Sequence, residues 1–518
     1  MKLKKLPIGI STLKTIMEEG YLYVDKTELA QHLIENGQYY FLSRPRRFGK
    51  SLFLDTLRTV FSGDKEVFKG LYIGESGYEF RKHPVVRISF ASGKFTSKDE
   101  FNQRIYEILK SNQQDLGIVC DKDLSSSGCF EQLIKEAYLK YNQKVVILVD
   151  EYDKPILDNI ENTEIARLMR EELKNFYSVI KGSDEYLKFV FITGVSKFSK
   201  VSLFSGLNNI LDITLNPKYA TICGYTQNDV ETVFAKHLNG QDFVKIRHWY
   251  NGYKFLGEGV YNPFDILLFI SNEFIYRNYW FSTATPTFLL KLIEKNDYFL
   301  PDFENITKDE SMLDSFDVDY IELETLMWQT GYLTIIDSKE TPIGMKYSLS
   351  IPNQEVKISL FGSISDFMSK IQNSMENKGF IYESFLNLDF KRLGTSIKSL
   401  FASIPYHLYT NNPMFEREGY YVSVFYAYVK SMGLELRVEE TTNKGRIDMV
   451  VFYPNAIFVM EFKVIASETK QSTALSQIKS MNYHEKYLSD TRGIYLVGLE
   501  FSKSDKNIYK LEWEKVQK

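Results

Sequence analysis

The segment Phe41–Leu52, with the sequence FLSRPRRFGKSL, constrains the fold of this chain more than any other stretch. Tyr39–Leu42 is apolar and predicts a short strand, whereas apolar residues recur at helical spacing from Ser51 onward. The Gly-Lys-Ser turn between them would lie at a helix N-terminus, where unpaired backbone N–H groups and the helix dipole favour an anion. The segment therefore predicts a phosphate-binding loop between a strand and a helix.

The residues of this turn have separate expected roles. Lys50 would reach the β- and γ-phosphates of a bound nucleotide, and the Ser51 hydroxyl would complete the shell of a magnesium ion. The match to the usual pattern is incomplete, because Arg44 stands where the first glycine is expected. A plain surface turn is the alternative interpretation. The residues expected to bind the nucleotide are Arg46, Arg47, Gly49, Lys50 and Ser51.

A second motif, KVVILVDEYD at Lys144–Asp153, completes the predicted nucleotide site. Its aliphatic residues Val145–Val149 fit a strand that is buried on both faces, as in a parallel sheet. Asp150 and Glu151 then fall at the carboxyl end of that strand, where open α/β sheets bind ligands. Asp150 would hold Mg²⁺ and Glu151 would polarise the attacking water, which is the division of roles that ATP hydrolysis needs.

Strands and helices alternate along the N-terminal part of the chain, which predicts βαβ units and a parallel sheet. In such a sheet Thr193 or Ser196 could contact the γ-phosphate, although a plain connecting loop is the alternative. The predicted helices are Glu28–Asn36, Phe130–Tyr141 and Ile165–Lys181, and the further strands are Val85–Phe90, Lys188–Thr193 and Ile210–Leu215.

The region from Tyr225 to about Pro286 predicts helices separated by turns. The motifs WYNGYKF and YNPFDIL place Asn-Gly and Asn-Pro turn dipeptides among large aromatic residues, which indicates loops held by ring packing. No chemistry is assigned to these motifs. Between Tyr320 and Phe361 a helix is followed by a predicted hairpin, as in a winged-helix module, although many small α+β connectors share that order.

A second constellation of charged residues occupies two predicted strands near the C-terminus, Ile447–Phe452 and Ile457–Val464. Side chains alternate along a strand, so Glu461 and Lys463 would point to the same face. Asp448 on the neighbouring strand could complete a pocket of two carboxylates and one lysine. This trio suits phosphodiester hydrolysis, in which Asp448 and Glu461 would bind Mg²⁺ while Lys463 positions the water and offsets negative charge in the transition state.

Two residues outside these strands are candidates for the same pocket. Glu418 lies on an otherwise apolar helical stripe, where a charged residue is seldom buried unless it is paired or bound to a metal. Gln477 lies in a predicted helix, Ser472–Leu488, that would cover the sheet. The alternative is an exposed strand on which Glu461 and Lys463 form a surface ion pair of negligible strength.

Length, charge and cysteine content set further bounds. At 518 residues the chain is too long for one core and predicts two or three domains. Its formal charge of −4, from 63 basic and 67 acidic residues, provides no overall basic field, so any contact with DNA requires a local patch. Three cysteines without metal-ligand spacing indicate reduced thiols that serve packing. No apolar run is long enough for a signal peptide or a membrane span, which predicts a cytoplasmic protein.

The motifs RPRRFGKS, ILVDEYDKP, WYNGYKF, YNPF, GYLTI, IPNQEV, GRID and EFK, in this order, resemble the bacterial AAA-ATPase-like proteins that carry a C-terminal PD-(D/E)xK nuclease domain. The resemblance covers nearly the full length. It implies an α/β fold with a P-loop (ASCE/AAA-like) parallel-sheet ATPase domain at residues 1–224. A helical, winged-helix-like middle region would follow at 225–375, and a restriction-endonuclease-like α/β domain at 376–518.

The resemblance also implies roles for single residues. The Walker A and B positions would be taken by Gly49, Lys50, Ser51, Asp150 and Glu151. The nuclease core would be Asp448, Glu461 and Lys463, with Glu418 as the helical glutamate and Gln477 with Tyr483 as the trailing helix motif.

These features together predict an ATP-regulated, Mg²⁺-dependent nuclease that acts on DNA, with RNA as an alternative substrate and the oligomeric state left open. By analogy, the resemblance implies a role in defence against mobile DNA. The alternative hypothesis is a nucleotide-dependent switch or scaffold that binds DNA or a protein partner through an inactive nuclease fold. A motor that moves along DNA is a third hypothesis, which would require a strongly basic cleft.

Overall fold

Two compact units make up the chain in the computed structural model. The first comprises Met1–Leu289 and Ile306–Asn353, and the second comprises Leu290–Asn305 and Gln354–Lys518. The domain boundaries expected from the sequence stay a prediction. The structure describes residues 3–121, 123–198, 209–281, 287–295, 298–313, 317–369, 374–404, 418–465 and 473–517.

The first unit is built on a five-stranded parallel sheet. Its strands are β1 (Tyr39–Ser43), β2 (Val85–Ser89), β3 (Val145–Asp150), β4 (Leu187–Gly194) and β5 (Leu211–Asp212). They are ordered β2-β3-β4-β1-β5, so β4 separates the strand before the Gly-Lys-Ser turn from the strand that ends in Asp150. Because parallel strands end at one edge of a sheet, both predicted nucleotide motifs lie at the same edge. The α/β class and the parallel sheet predicted from the sequence are confirmed.

Helices surround this sheet, and burial and capping explain where they form. Val145–Val149 of β3 have no exposed surface, as expected for a strand covered on both faces. The long helices after Ser97 and Ser125 begin at those residues because each serine side chain accepts a hydrogen bond from a backbone N–H of the first turn. The α-helices of the first unit are Leu13–Glu18, Thr27–Asn36, Lys50–Phe61, Tyr72–Glu75, Lys98–Leu116, Ser126–Tyr141, Lys154–Leu157, Thr163–Gly182, Gln227–Thr232, Phe243–Tyr250, Pro263–Ser271, Glu310–Leu313 and Leu323–Thr330.

A small antiparallel sheet has one strand before the predicted helix of the middle region and two strands after it. Its strands are β6 (Ile306–Asp309), β7 (Thr334–Thr341) and β8 (Gly344–Ser350), in the order β6-β8-β7. The helix Leu323–Thr330 ends at Gly331, whose φ of 94° is a conformation that glycine adopts without strain. The helix and hairpin expected from the sequence are therefore present, in a winged-helix-like order.

The second unit is built on a mixed five-stranded sheet. Its strands are β9 (Glu435–Thr441), β10 (Arg446–Phe452), β11 (Ala456–Ile465), β12 (Gly493–Ser502) and β13 (Asn507–Lys515). The central strand β11 runs antiparallel to β10 and parallel to β12. The α-helices are Gln354–Ser369, Ser374–Asn387, Phe390–Ala402, Glu418–Lys430 and Thr473–Met481, and the helix Thr287–Lys295 spans the division between the units.

Two elements differ in extent from the prediction. The predicted helix Ser472–Leu488 ends at Met481, because Asn482 adopts a left-handed conformation with φ 50° before a short 3₁₀ helix, Tyr483–Tyr487. Residue 472 lies outside the described residues. The predicted strand Ile210–Leu215 is reduced to the two residues of β5.

The cysteine prediction was wrong for two of the three residues. Cys120 and Cys129 are joined in a disulfide across a Cα–Cα distance of 5.5 Å. The pairing arises because Cys129 lies in the first turn of the helix Ser126–Tyr141 and the short connection after Leu116 returns the chain to it, which sequence spacing alone does not reveal. Cys223 is buried and free, as predicted. Among the described residues, the helices are too short or too polar to cross a bilayer.

Candidate active sites

The Gly-Lys-Ser turn joins β1 to the helix Lys50–Phe61. Gly49 precedes the helix with φ 93°, which glycine tolerates without strain. Lys50 is buried, and its ammonium group donates to the backbone carbonyls of Arg44 at 2.8 Å and Pro45 at 2.9 Å. Burial lowers the pKa of Lys50. A phosphate group would therefore offer this ammonium a charged partner in place of two neutral carbonyls.

Arg44 points into the core and supports the loop from below. Its side chain is fully buried, and the guanidinium donates to the carbonyls of Ser43 at 2.9 Å, Thr214 at 2.8 Å and Tyr219 at 3.1 Å. The guanidinium carbon also lies 3.7 Å from the ring centre of Phe255. Burial lowers the pKa of Arg44 to about 10. The residue that replaces the expected glycine is thus part of the core packing.

Restoring that glycine is expected to destabilise the protein. Arg44→Gly leaves three carbonyls without their donor and opens a void, so we expect the free energy of unfolding to fall by about 3 kcal/mol or more. Chemical denaturation measures the change. Arg44→Met refills much of the volume but lacks the donors. Its free energy of unfolding should lie between those of the wild type and Arg44→Gly. An Arg44→Gly protein as stable as the wild type would contradict this role.

A cavity of about 590 Å³ opens beside the turn and brings several predicted residues together. It is large enough for a nucleotide. Asp150 does not line it and lies buried at the end of β3. The predicted residues that line the cavity are Arg46, Arg47, Gly49, Lys50, Ser51 and Glu151.

The two acidic residues after β3 have different surroundings. Asp150 is 2% exposed, and its Oδ1 has no hydrogen-bond partner among the described residues. A buried carboxylate oxygen without a partner is suited to bind a cation that is not part of the polypeptide, such as a metal ion. Glu151 has φ 52°, a strained conformation for a residue with a side chain, and lines the cavity. Burial raises the pKa of Glu151, and the neighbouring Asp150 adds to the shift.

Asp153 is a residue of this site that the sequence reasoning missed. It is 1% exposed, and its Oδ2 accepts hydrogen bonds from the backbone N–H groups of Val195 at 3.0 Å and Ser196 at 2.6 Å. The hydroxyl of Ser196 also donates to that oxygen, whereas the Thr193 hydroxyl is buried without a partner among the described residues. Asp153 therefore ties the segment after β4 to the Asp150 motif. The acidic pattern DEYD was the signal in the sequence that could have indicated Asp153. Residues 199–208 of the segment after β4 lie outside the described residues.

In the second unit, four of the predicted nuclease residues, Glu418, Glu461, Lys463 and Gln477, are linked by side-chain contacts. Lys463 on β11 places its Nζ 3.2 Å from Glu418 Oε2 and 3.3 Å from Glu461 Oε1. Glu461 is 1% exposed, and its Oε1 also accepts a hydrogen bond from the amide of Gln477. Its Oε2 has no partner among the described residues. Tyr483 is instead buried in the hydrophobic core against β10.

Asp448 reaches the same region from β10. The regular pairing of β10 with β11 begins at Met449 and Met460, and Asp448 Oδ2 instead accepts the backbone N–H of Phe462 at 2.8 Å. Burial raises the pKa of Asp448 to about 6. Burial raises the pKa of Glu461 further, to about 8, with Asp448 adding to the shift. Burial opposes a charged Lys463, but Glu418 and Glu461 outweigh it and raise its pKa. Two carboxylates held out of water therefore lie beside one cation.

The oxygen atoms of Asp448 and Glu461 are the groups here that could bind a divalent cation. Among the described residues, no three His, Cys, Asp or Glu side chains are arranged to hold a metal ion by themselves. Mg²⁺ does not need such a cage, since it keeps several waters and usually takes one or two carboxylates together with substrate phosphates. Asp448 and Glu461 fit that smaller requirement, and the unpartnered Oε2 of Glu461 is the atom left for it.

The helix that carries Gln477 packs on β12. Gly498 is the register partner of Glu461, and a Cβ at this position would lie 2.5 Å from the backbone nitrogen of Leu475. Glu500 on the same strand accepts the backbone N–H groups of Thr473 at 2.5 Å and Ala474 at 3.3 Å. The missing side chain and the acidic cap let the helix approach β11 closely enough for Gln477 to reach Glu461. Neither residue stood out in the sequence.

Gly498→Ala is expected to displace this helix. The added methyl group meets helix backbone, so we expect the free energy of unfolding to fall by about 1–3 kcal/mol. Gly394→Ala is the matched control because a Cβ there lies 3.7 Å from its nearest neighbour, in ordinary contact and within a helix. That change should be neutral or stabilising. Urea denaturation followed by circular dichroism compares the two; equal stabilities would mean that the close approach at Gly498 is dispensable.

Comparisons with known proteins match the two parts of the chain that contain these residues. A family model described as "Predicted AAA-ATPase" matches residues 7–204, and one described as "PD-(D/E)XK nuclease superfamily" matches residues 416–511. The "Uncharacterized protein in vnfD 5'region" of Azotobacter chroococcum mcd 1 is 46% identical over 511 residues, which cover 98% of each chain. No solved structure gives a significant match. The chain therefore belongs to the family of AAA-ATPase-like proteins that carry a C-terminal domain of the PD-(D/E)XK nuclease superfamily.

Proposed function

We propose that this protein binds ATP and cleaves phosphodiester bonds of DNA with Mg²⁺ at a site formed by Asp448, Glu461 and Lys463. The observation that carries the proposal is the buried Oε2 of Glu461, which has no partner among the described residues although a lysine lies beside the other oxygen. Asp448 and Glu461 would bind the metal. Lys463 would hold the attacking water and offset the charge that develops on the phosphate, with Glu418 and Gln477 orienting Lys463 and Glu461.

ATP would bind in the cavity beside Lys50 and regulate cleavage. Ser51 and Asp150 would hold its Mg²⁺, Arg46 and Arg47 would contact the phosphates, and Glu151 would polarise the attacking water. Regulation requires that ATP bind one arrangement of the protein more tightly than another. We also propose a role in defence against mobile DNA, by analogy alone.

Cleavage assays test the proposal directly. The purified protein is incubated with supercoiled plasmid, linear DNA and RNA, with Mg²⁺ or EDTA, and with or without ATP. We expect cleavage of DNA that requires Mg²⁺ and that changes in rate when ATP is added. Absence of cleavage under every condition would remove the nuclease proposal, and an unchanged rate with ATP would remove the regulation.

A nucleotide-dependent scaffold is the second candidate. It is favoured by the position of the Lys463 ammonium, which already neutralises part of the charge of Glu418 and Glu461. A scaffold would bind DNA without cutting it, and titration of Mg²⁺ would give the same heat with the wild type and with Asp448→Asn. A metal site at Asp448 requires that the two titrations differ.

A further inference from the structure

The Gly-Lys-Ser loop is held in an uncommon way, because it contains few glycines. Between Arg44 and Lys50 the sequence is Pro-Arg-Arg-Phe-Gly, and Arg47 adopts φ 69°, a left-handed conformation that costs energy for any residue with a side chain. Such conformations persist only where the surrounding structure imposes them. The residues on either side of Arg47 are contacted by Trp280, by Gly224 and by two aromatic motifs to which the sequence assigned no chemistry.

Two side chains bind the carbonyl of Arg46 from behind the loop. The indole N–H of Trp280 donates to it at 3.2 Å, and the amide of Asn262 donates to it at 3.4 Å. Asn262 belongs to the YNPF motif and is fully buried, and Trp280 is 2% exposed. These are buried donors directed at one backbone atom of a surface loop.

A third donor binds the carbonyl of Phe48, two residues after Arg46. The backbone N–H of Gly224 donates to the carbonyl of Phe48 at 3.1 Å. The Phe48 ring is 1% exposed and lies edge-on to the ring of Tyr253, with 4.8 Å between ring centres. Tyr253 belongs to the WYNGYKF motif. The loop is therefore held at both carbonyls and at the side chain between Arg47 and Gly49.

Because the peptide bond is planar, these contacts to carbonyl groups also determine the direction of the neighbouring N–H groups. In a trans peptide the carbonyl of one residue and the N–H of the next point in opposite directions, and the described chain has no cis peptide. Holding the carbonyls of Arg46 and Phe48 therefore orients the N–H groups of Arg47 and Gly49 away from those donors. Both residues line the cavity, and backbone N–H groups of such loops are the groups that cradle phosphate.

We propose that Trp280 and Asn262 are positioning residues for nucleotide phosphate, which hold the Arg46 carbonyl so that the Arg47 N–H faces the bound anion. This inference rests on the proposed nucleotide binding. It assigns to the YNPF motif and to Trp280 the task that glycines perform in glycine-rich loops. Neither side chain lines the cavity, so each acts through the loop backbone.

Two conservative substitutions remove the donors while keeping the packing. Trp280→Phe keeps an aromatic ring beside Tyr332 but lacks the N–H. Asn262→Asp keeps the oxygen that accepts the Phe264 N–H at 2.9 Å, but replaces the amide donor with a carboxylate oxygen that repels the Arg46 carbonyl. Trp249→Phe is the matched control, since Trp249 packs on Tyr276 in the same unit and does not line the cavity.

Two measurements on the full-length protein decide the question. Titration with ATP and with ADP should show affinities about 5- to 10-fold weaker for each variant than for the wild type and for Trp249→Phe, as expected for one lost hydrogen bond. Amide hydrogen exchange without nucleotide should show faster exchange at residues 46–49 in both variants, whereas a general loss of structure would accelerate exchange across the unit.

The outcomes separate this inference from the proposed function. Unchanged affinity and unchanged exchange in the loop overturn the positioning role while leaving nucleotide binding intact. A wild-type protein that binds neither ATP nor ADP overturns both. Weaker binding with exchange accelerated only at residues 46–49 supports both.

Discussion

Replacing Lys463 with methionine is expected to lower the rate of DNA cleavage by at least about 100-fold while leaving Mg²⁺ binding intact. The ammonium lies 3.2 Å from Glu418 and 3.3 Å from Glu461, so it is the positive charge next to the proposed metal ligands. Its loss removes stabilisation of the negative charge that develops on the phosphate. It also removes a repulsion of the incoming cation, so the affinity for Mg²⁺ should stay equal or rise.

Asp448→Asn should give the opposite combination. The side-chain oxygen of an asparagine can still accept the N–H of Phe462, so the strand contact is kept while the charge is lost. We expect both Mg²⁺ binding and cleavage to fall. Calorimetric titration of Mg²⁺ and initial rates of plasmid nicking, measured on the same preparations, distinguish the two variants.

The control for Lys463→Met is Lys479→Met. Lys479 lies on the helix that carries Gln477, is half exposed and pairs with Glu514 at 2.6 Å, so its replacement should leave the cleavage rate unchanged. If Lys463→Met cleaved DNA at the wild-type rate, the ion pair with Glu418 and Glu461 would be structural, and cleavage would not depend on the proposed site.

Local patterns were sufficient to predict the main elements of both units. The strand β3 and its acidic end follow from an aliphatic run, and the alternation of side chains puts Glu461 and Lys463 on one face of β11, where their charged groups are 3.3 Å apart. The long helix Lys98–Leu116 was missed although its apolar residues recur at helical spacing, because polar residues dominate its sequence. The roles of the site residues stay predictions.

Contacts between distant parts of the chain were beyond the reach of these patterns. The donors to the Arg46 carbonyl lie 216 and 234 residues away in the sequence, so nothing near the Gly-Lys-Ser turn indicates them. The inward direction of Arg44 depends on carbonyls of Thr214 and Tyr219 that only the tertiary fold supplies. The need for glycine at position 498 arises from the tertiary structure, in which β12 lies beside Glu461 and the helix packs on the sheet.

Replacing Glu151 with glutamine is expected to abolish most ATP turnover while preserving ATP binding. Glu151 lines the cavity with Lys50 and Ser51, and burial raises its pKa, as suits a group that must take part in moving a proton. Glutamine keeps the size and the hydrogen-bonding oxygen but cannot accept the proton. A catalytic base contributes typically ~10²–10⁴-fold, so phosphate release should fall by at least about 100-fold at unchanged ATP affinity.

The same variant also tests regulation, because it would hold the protein in its ATP-bound form. If ATP binding rather than hydrolysis sets the nuclease rate, Glu151→Gln with ATP should show a constant cleavage rate, whereas the wild-type rate should drift as ATP is consumed. Glu164→Gln is the control, since Glu164 is exposed at the start of the helix Thr163–Gly182. Wild-type turnover in Glu151→Gln would show that another group activates the water, and the strained φ of 52° at Glu151 would then need a different explanation.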